Sequence, residues 1–422
     1  MLDKIMSYID KTKVLKCVSE TSKRFNALTK RHLYHTVIFT RAHTTTQVVQ
    51  LVENIIDRPE LGRLIKRATF NDFGVPVSYG PQPNRKLLNS CLELWRACDS
   101  LLSGKRHSTI LRPEYWGYHL ELSIKALCFA MLMKLFVNME YLECHAGTEA
   151  DNEYFWEIIS CFDFSSVPSI FRHLRELKAS NLKLDNVYST LKVPSLTKLT
   201  VVKRKYPYSV YGYVDIASFF AVAPNLASLT VPNIRAGDSP QKLRDALTEY
   251  APTLTHLELS GEGEAFLDLR SFDKLSYLRV DLINLLSPES PGRDGYLAPF
   301  WTLLPPNIES LVIDIDKVFL QEVEEDDILA NTLRLYARQL RQSRGQIMRD
   351  VKLRLWYCDE QWVGKQHLRT YPTRQEGIRY HAQVLGLLHL RNFALKSGIS
   401  CKLEAYDDDG WIWDLEADSD LD

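Results

Sequence analysis

Few residues in this chain stand at a spacing that could do chemistry. His32 and His35 lie three apart, near enough to share a metal ion, but no third ligand stands close to them in sequence. Cys144 and His145 are adjacent. A cysteine nucleophile needs a base to take its proton and donors to hold an oxyanion, and adjacency supplies neither. Gly261-Glu-Gly-Glu has two of the three glycines of a dinucleotide loop, with no clear helix start behind it. No G-x-S-x-G elbow or phosphate-binding loop is present. The eight cysteines, at 17, 91, 98, 128, 144, 161, 358 and 401, include no C-x-x-C pair. The sequence predicts a non-enzyme, with no cofactor and no metal, whose work is recognition.

The elements that would carry recognition are repeated. Asn225-Leu-Ala-Ser-Leu-Thr-Val-Pro-Asn233 reads apolar-x-x-Leu-x-apolar. Leu229 and Val231 alternate like a short strand with one buried face, and Leu226 belongs to the turn before it. The same frame recurs in His173-Leu-Arg-Glu-Leu-Lys-Ala179, Ser195-Leu-Thr-Lys-Leu-Thr-Val201 and Thr253-Leu-Thr-His-Leu-Glu-Leu259. It returns in Lys274-Leu-Ser-Tyr-Leu-Arg-Val280 and Asn307-Ile-Glu-Ser-Leu-Val-Ile313. Weaker copies are Asn138-Met-Glu-Tyr-Leu-Glu-Cys144, Ile65/Ala68/Phe70 and Met348/Val351/Leu353. This is the strand signature of a leucine-rich repeat. From Leu142 to Leu311 the second leucines are 21 to 35 residues apart. Regular repeats sit at about 20 to 29, so these are degenerate, with variable return segments. Helices are expected in the returns at 214–223, 241–250 and 328–344, and a last one at 374–396.

The expected fold is therefore α/β: an irregular leucine-rich-repeat solenoid with parallel strands on its concave face and helices outside. Buried strand positions are core. The residues between them line the concave face and form the candidate target-binding set. The first half of that set is Tyr141, Glu143, Lys178 and Lys198. The second half is His256, Glu258, Tyr277, Arg279, Arg354 and Trp356. It is mixed in charge and includes Tyr, Arg and Trp, the usual anchors of interfaces. No basic stripe runs through it, which argues against nucleic acid.

The first 39 residues differ. Leu2, Ile5, Met6 and Ile9 share one helical face. Val14, Leu15, Cys17 and Val18 begin a second short helix, and Ser22 caps a third that carries Phe25, Leu28 and Leu33. Basic residues outnumber acidic ones here by eight to three. Val18-Ser-Glu-Thr-Ser-Lys-Arg-Phe25, Ala27-Leu28 and Leu33-Tyr-His-Thr-Val-Ile-Phe39 resemble the second half of an F-box. The whole plan is similar to that of the F-box/leucine-rich-repeat proteins abundant in filamentous fungi. That resemblance implies a substrate-recognition adaptor of an SCF-type (cullin-RING) ubiquitin ligase. The trio would dock to the ligase linker protein, and so to the cullin, through Leu2, Ile5, Ile9, Leu15 and Val18. The Leu-Pro step that opens such boxes is missing, and Thr21 replaces an aliphatic residue. A second reading is thus a repeat scaffold with a decayed F-box and no ubiquitin role.

The totals agree with a folded interaction protein. The chain has 422 residues, 45% of them apolar and 25% charged, and a net charge of −1 that favours neither nucleic acid nor an anionic membrane. The apolar run Ala126–Met133 is too short to cross a bilayer. The expected location is cytoplasmic, nuclear or both. The expected plan is an F-box-like domain at 1–39, a linker helix at 40–60, repeats at 61–406 and an acidic tail at 407–422. Trp411 and Trp413 leave the tail either solvated or packed back as a cap.

Overall fold

The computed structural model describes residues 12–40, 42–71, 85–102, 120–145, 171–180, 193–202, 223–232, 247–248, 250–260, 268–281, 304–316, 349–356, 400–406 and 412–414. Leu2, Ile5 and Ile9, the Gly261 loop, the expected helices at 328–344 and 374–396 and most of those at 214–223 and 241–250 lie outside them. The chain forms two compact units, residues 1–226 and 227–422.

The first unit opens with two helices, α1 (Thr12–Thr21) and α2 (Lys23–Leu33), packed on each other. Ser22 caps α2 as expected: its hydroxyl accepts the Phe25 N–H at 3.2 Å. Strand β1 (Thr36–Phe39) follows, then α3 (Thr45–Asp57), α4 (Pro59–Gly62) and β2 (Arg67–Asn71). Thr44 and Gln47 close a reciprocal capping box at the start of α3, the expected linker helix. Helices α5 (Arg85–Leu102) and α6 (Leu120–Leu135) precede β3 (Tyr141–His145), β4 (Glu176–Ser180) and β5 (Lys198–Val202). Strands β1 to β5 pair in chain order and all in parallel.

Residues 36–39 were expected within the N-terminal module, but they form the first strand of the sheet. The reason is local. Val37, Ile38 and Phe39 are β-branched or aromatic, and Phe39 stacks on Phe70 of β2 with ring centroids 5.1 Å apart. Phe70 in turn meets Phe129 of α6 edge to face at 4.9 Å. Helix α6 is apolar on nearly all sides, and from Ile124 to Leu135 every residue is buried. It packs against both α3 and α5, which also meet each other. The approach of α4 is close: a Cβ at Gly62 would lie 2.6 Å from the Leu135 carbonyl oxygen.

The second unit contains β6 (Ser228–Pro232), β7 (His256–Ser260), β8 (Tyr277–Asp281), β9 (Ser310–Asp316), β10 (Asp350–Trp356) and β11 (Ser400–Tyr406). They too pair in order and in parallel. The exception is β12 (Ile412–Asp414), which runs antiparallel to β11 with Trp413 opposite Ala405. Within the acidic tail, residues 412–414 are therefore a strand paired to β11.

Both units build their strands in one way. The two N–H groups at the start of a strand converge on one carbonyl of the strand before: Glu140 and Tyr141 on Lys66, Arg175 and Glu176 on Glu140, Ser276 and Tyr277 on Thr255. The pattern holds at β2 to β5 and again at β7 to β10. The leading apolar residue closes the turn, as Leu174 does on Phe171 and Leu275 on Phe272. An asparagine ahead of it reaches back to the preceding turn: Asn138 to the Arg63 carbonyl at 2.8 Å, Asn225 to Pro194 at 2.8 Å, Asn307 to Asp273 at 2.6 Å. Leu142, Leu177 and Leu199 then align in register and are buried in the first unit, as are Leu229, Leu257, Leu278 and Leu311 in the second. Their neighbours alternate to the opposite face.

Candidate functional site

The face opposite the buried leucines carries a polar network in each unit. In the first unit, register aligns Arg67, Tyr141, Glu176 and Lys198 in one row and Thr69, Glu143, Lys178 and Thr200 in the next. Glu143 is the hub. Its Oε1 lies 2.7 Å from Lys178 Nζ and 2.8 Å from His145 Nε2, and its Oε2 accepts the Tyr141 hydroxyl at 3.0 Å. Burial by itself raises this carboxyl, whose side chain is 15% exposed. The bonds from Lys178, His145 and Tyr141 outweigh burial and hold it down at about 2. Burial, with the bond to Glu143, pushes the Tyr141 phenol up to about 12. The Arg67 guanidinium lies 4.0 Å from the centroid of the Tyr141 ring, and Lys198 Nζ lies 2.9 Å from Glu176.

In the second unit His256 Nε2 lies 3.1 Å from Glu258 Oε1, and its ring stacks on Tyr277 with centroids 3.9 Å apart and planes 3° from parallel. Arg279 donates from Nε to Asp314 at 2.6 Å and approaches Glu258 at 3.7 Å. The His256 bond is the main cause that lowers the Glu258 carboxyl, and the charges of Arg279 and Arg354 add to it. Arg354 is half-buried on β10, in register with Asp314. Trp356 stands opposite Asp316 on β10, and its side chain lies outside the described residues.

Apart from Trp356, the expected target-binding residues are thus brought together within each unit as charge-matched networks. Such a face offers fixed donors and acceptors, with little side-chain freedom left to lose on binding. Glu143, its carboxyl held at about 2, is a weak base near neutral pH. Cys144 points to the buried side at 2% exposure, and burial pushes its thiol up to about 12. It is not a thiolate at neutral pH, and the adjacent His145 is committed to Glu143. No group of three or more potential metal ligands occurs among the described residues, and His35 is hydrogen-bonded to Thr36.

At the N-terminus, Leu15 is 5% exposed and Val18 is half-buried. Leu15 is therefore engaged in the chain's own packing, because the α1 face that carries it is the one laid on its neighbours. The exposed apolar side chain of α1 is Val14.

Three contributors escaped the sequence reading. Arg67 and Thr69 sit on β2, whose frame is a weak copy. The outward positions between Ile65, Ala68 and Phe70 could have been assigned from that copy. Asp314 lies beyond the five-residue frame, on a strand that runs on to Asp316, so no signal in the motif marks it. Val312 was expected on the open face, but it is 3% exposed between Arg279 and Lys352 in register, whose long stems flank it. No protein-family model matches the chain, and no curated protein matches it in sequence.

Proposed function

We propose that this chain is the substrate-recognition adaptor of an SCF-type ubiquitin ligase, with its N-terminal helices docked to the ligase linker protein and its repeat face holding a target protein. The strands are read as degenerate leucine-rich repeats and the N-terminal helices as the remainder of an F-box. The observation that carries this reading is a recurring leucine frame that holds a register-matched polar face in each unit, with Tyr141, Glu143 and Lys178 in the first and His256, Tyr277 and Arg279 in the second. The mechanism is proximity. A tethered target meets charged ubiquitin at a raised effective concentration, with no catalytic group needed from this chain.

The test is a pull-down with the full chain, probed for the linker protein and its cullin. Ile5→Asp with Val14→Asp serves as the control; Leu15 is avoided because it is buried. Recovery by the wild type and loss in the control supports the adaptor. Absence of both proteins from a folded wild type removes it.

The burial of Leu15 and the place of β1 in the sheet favour a second reading, a repeat scaffold whose N-terminal helices only cap the end of the sheet. In that case the same pull-down recovers neither protein while targets still bind the strand face.

A further inference from the structure

Tyr277 of β8 and His256 of β7 stand in register, with ring planes 3° from parallel and centroids 3.9 Å apart. Rings stacked across neighbouring strands present their faces along the sheet. One face of Tyr277 is therefore covered by His256, and the opposite face turns toward β9. The next residues of that row are Ser310 on β9 and Asp350 on β10. Ser310 is small, and Asp350 is exposed. The Asp350 carboxylate has no ion-pair partner among the described residues, and Arg349 beside it is turned to Glu309 at 3.9 Å. Two strand spacings of about 4.8 Å each separate Tyr277 from Asp350. Ring, serine and carboxylate thus bound a slot with room for one flat group.

A tyrosine face on one side and a carboxylate on the other select a cation. The ring attracts a cation within about 6 Å of its centroid. The carboxylate accepts two parallel N–H bonds from a guanidinium edge. The first unit fills the matching place from its own chain. Tyr141 opens β3 as Tyr277 opens β8, and its register partner Arg67 lies 4.0 Å from its ring centroid. In the second unit His256 holds the position of that arginine. In the next row Arg279 is matched by Asp314 and Glu258. Lys352 stands two residues beyond Asp350, in register with Val312, and limits the slot to a single added cation.

We infer that the slot between Tyr277 and Asp350 takes one arginine side chain of a partner protein. The guanidinium stacks on the outer face of the Tyr277 ring, lies over Ser310 and donates to the Asp350 carboxylate. The slot belongs to the strand face assigned above to a target, so the inference rests on that reading for the partner's role and gives the target its chemistry.

The experiment uses the full chain and a fluorescent Gly-Ser peptide with one central arginine, and anisotropy gives relative affinity. Citrulline and lysine versions serve as comparisons: citrulline keeps the shape without the charge, and lysine keeps the charge without the flat fork. The arginine peptide is expected to bind tightest. Asp350→Asn should weaken it about tenfold, and Asp273→Asn, an equal change of charge outside the slot, should not. Ser310→Leu fills the slot without removing a partner and should abolish binding with an unchanged thermal melt. Tyr277→Phe should retain binding and Tyr277→Leu should lose it. No binding, equal binding of the citrulline or lysine peptide, or binding by Ser310→Leu overturns the inference. Equal losses in Asp350→Asn and Asp273→Asn also overturn it, in favour of diffuse charge attraction. The peptide is titrated without the linker protein, so its failure beside a successful linker pull-down removes this inference alone. A failed pull-down beside peptide binding removes the adaptor reading and leaves the slot.

Discussion

Arg279 on β8 donates its Nε proton to Asp314 on β9 at 2.6 Å, and the Asp314 carboxylate is only 3% exposed. An ion so deeply buried is tolerable only with charged donors beside it. Arg279→Met should destabilise the second unit by about 3 kcal/mol. Pairing it with Asp314→Asn should recover part of that loss, so the two changes are less than additive in urea unfolding. Full additivity would mean that the pair contributes nothing jointly.

Glu143 predicts an acid-labile first unit. Its folded value of about 2 lies below the ordinary 4.5, so the folded state keeps the charge at pH values where the unfolded chain is already protonated. The stabilisation is complete above about 4.5 and is lost as pH falls toward 2. It amounts to about 3 kcal/mol. Glu143→Gln should flatten the stability profile in that window, as read by thermal melting at successive pH values. An unchanged slope would remove Glu143 as its source.

Gly62→Ala should invert the usual rule for helices. Alanine in place of glycine commonly stabilises a helix by about 1 kcal/mol. Here the new Cβ would stand 2.6 Å from the Leu135 carbonyl and 3.1 Å from Ile55 Cγ2, so α4 must move off α6. A cost of about 1–3 kcal/mol is expected, visible as a lower Tm.

Asn138, Asn225 and Asn307 each bond a backbone carbonyl of the preceding turn. Each Asn→Ala change should cost about 1 kcal/mol. Asn138 and Asn307 belong to different units, so their effects should add within error. Asn307→Asp should cost more than Asn307→Ala, since a carboxylate would then face a carbonyl oxygen.

Much of this architecture was legible because the leucine frame is repeated. Leu177, Leu199, Leu229, Leu257, Leu278 and Leu311 are all buried where the frame puts them. The outward partners Tyr141, Glu143 and Lys178 follow from alternation alone. Their hydrogen bonds do not, because which carboxylate oxygen faces which strand depends on register across dozens of residues. The place of β1 in the sheet was not legible because four β-prone residues two positions after a helix carry no leucine frame. The β12 strand was left open because three residues in an acidic run give too short an alternation. Burial of Leu15 was hidden for a different reason: a small helix apolar on more than one side does not say which side its own chain covers.

The convergence of two N–H groups on a single carbonyl at the start of successive strands has a consequence for how such a protein changes over time. Registration is decided within a few residues of each turn, so the length of chain between turns is free. Insertions and deletions in the return segments can then accumulate without sliding any strand past its neighbour. That freedom accounts for intervals as unequal as 21 and 35 residues. It also lets lineages rewrite the outward side chains one at a time, keeping the ladder while exchanging the specificity.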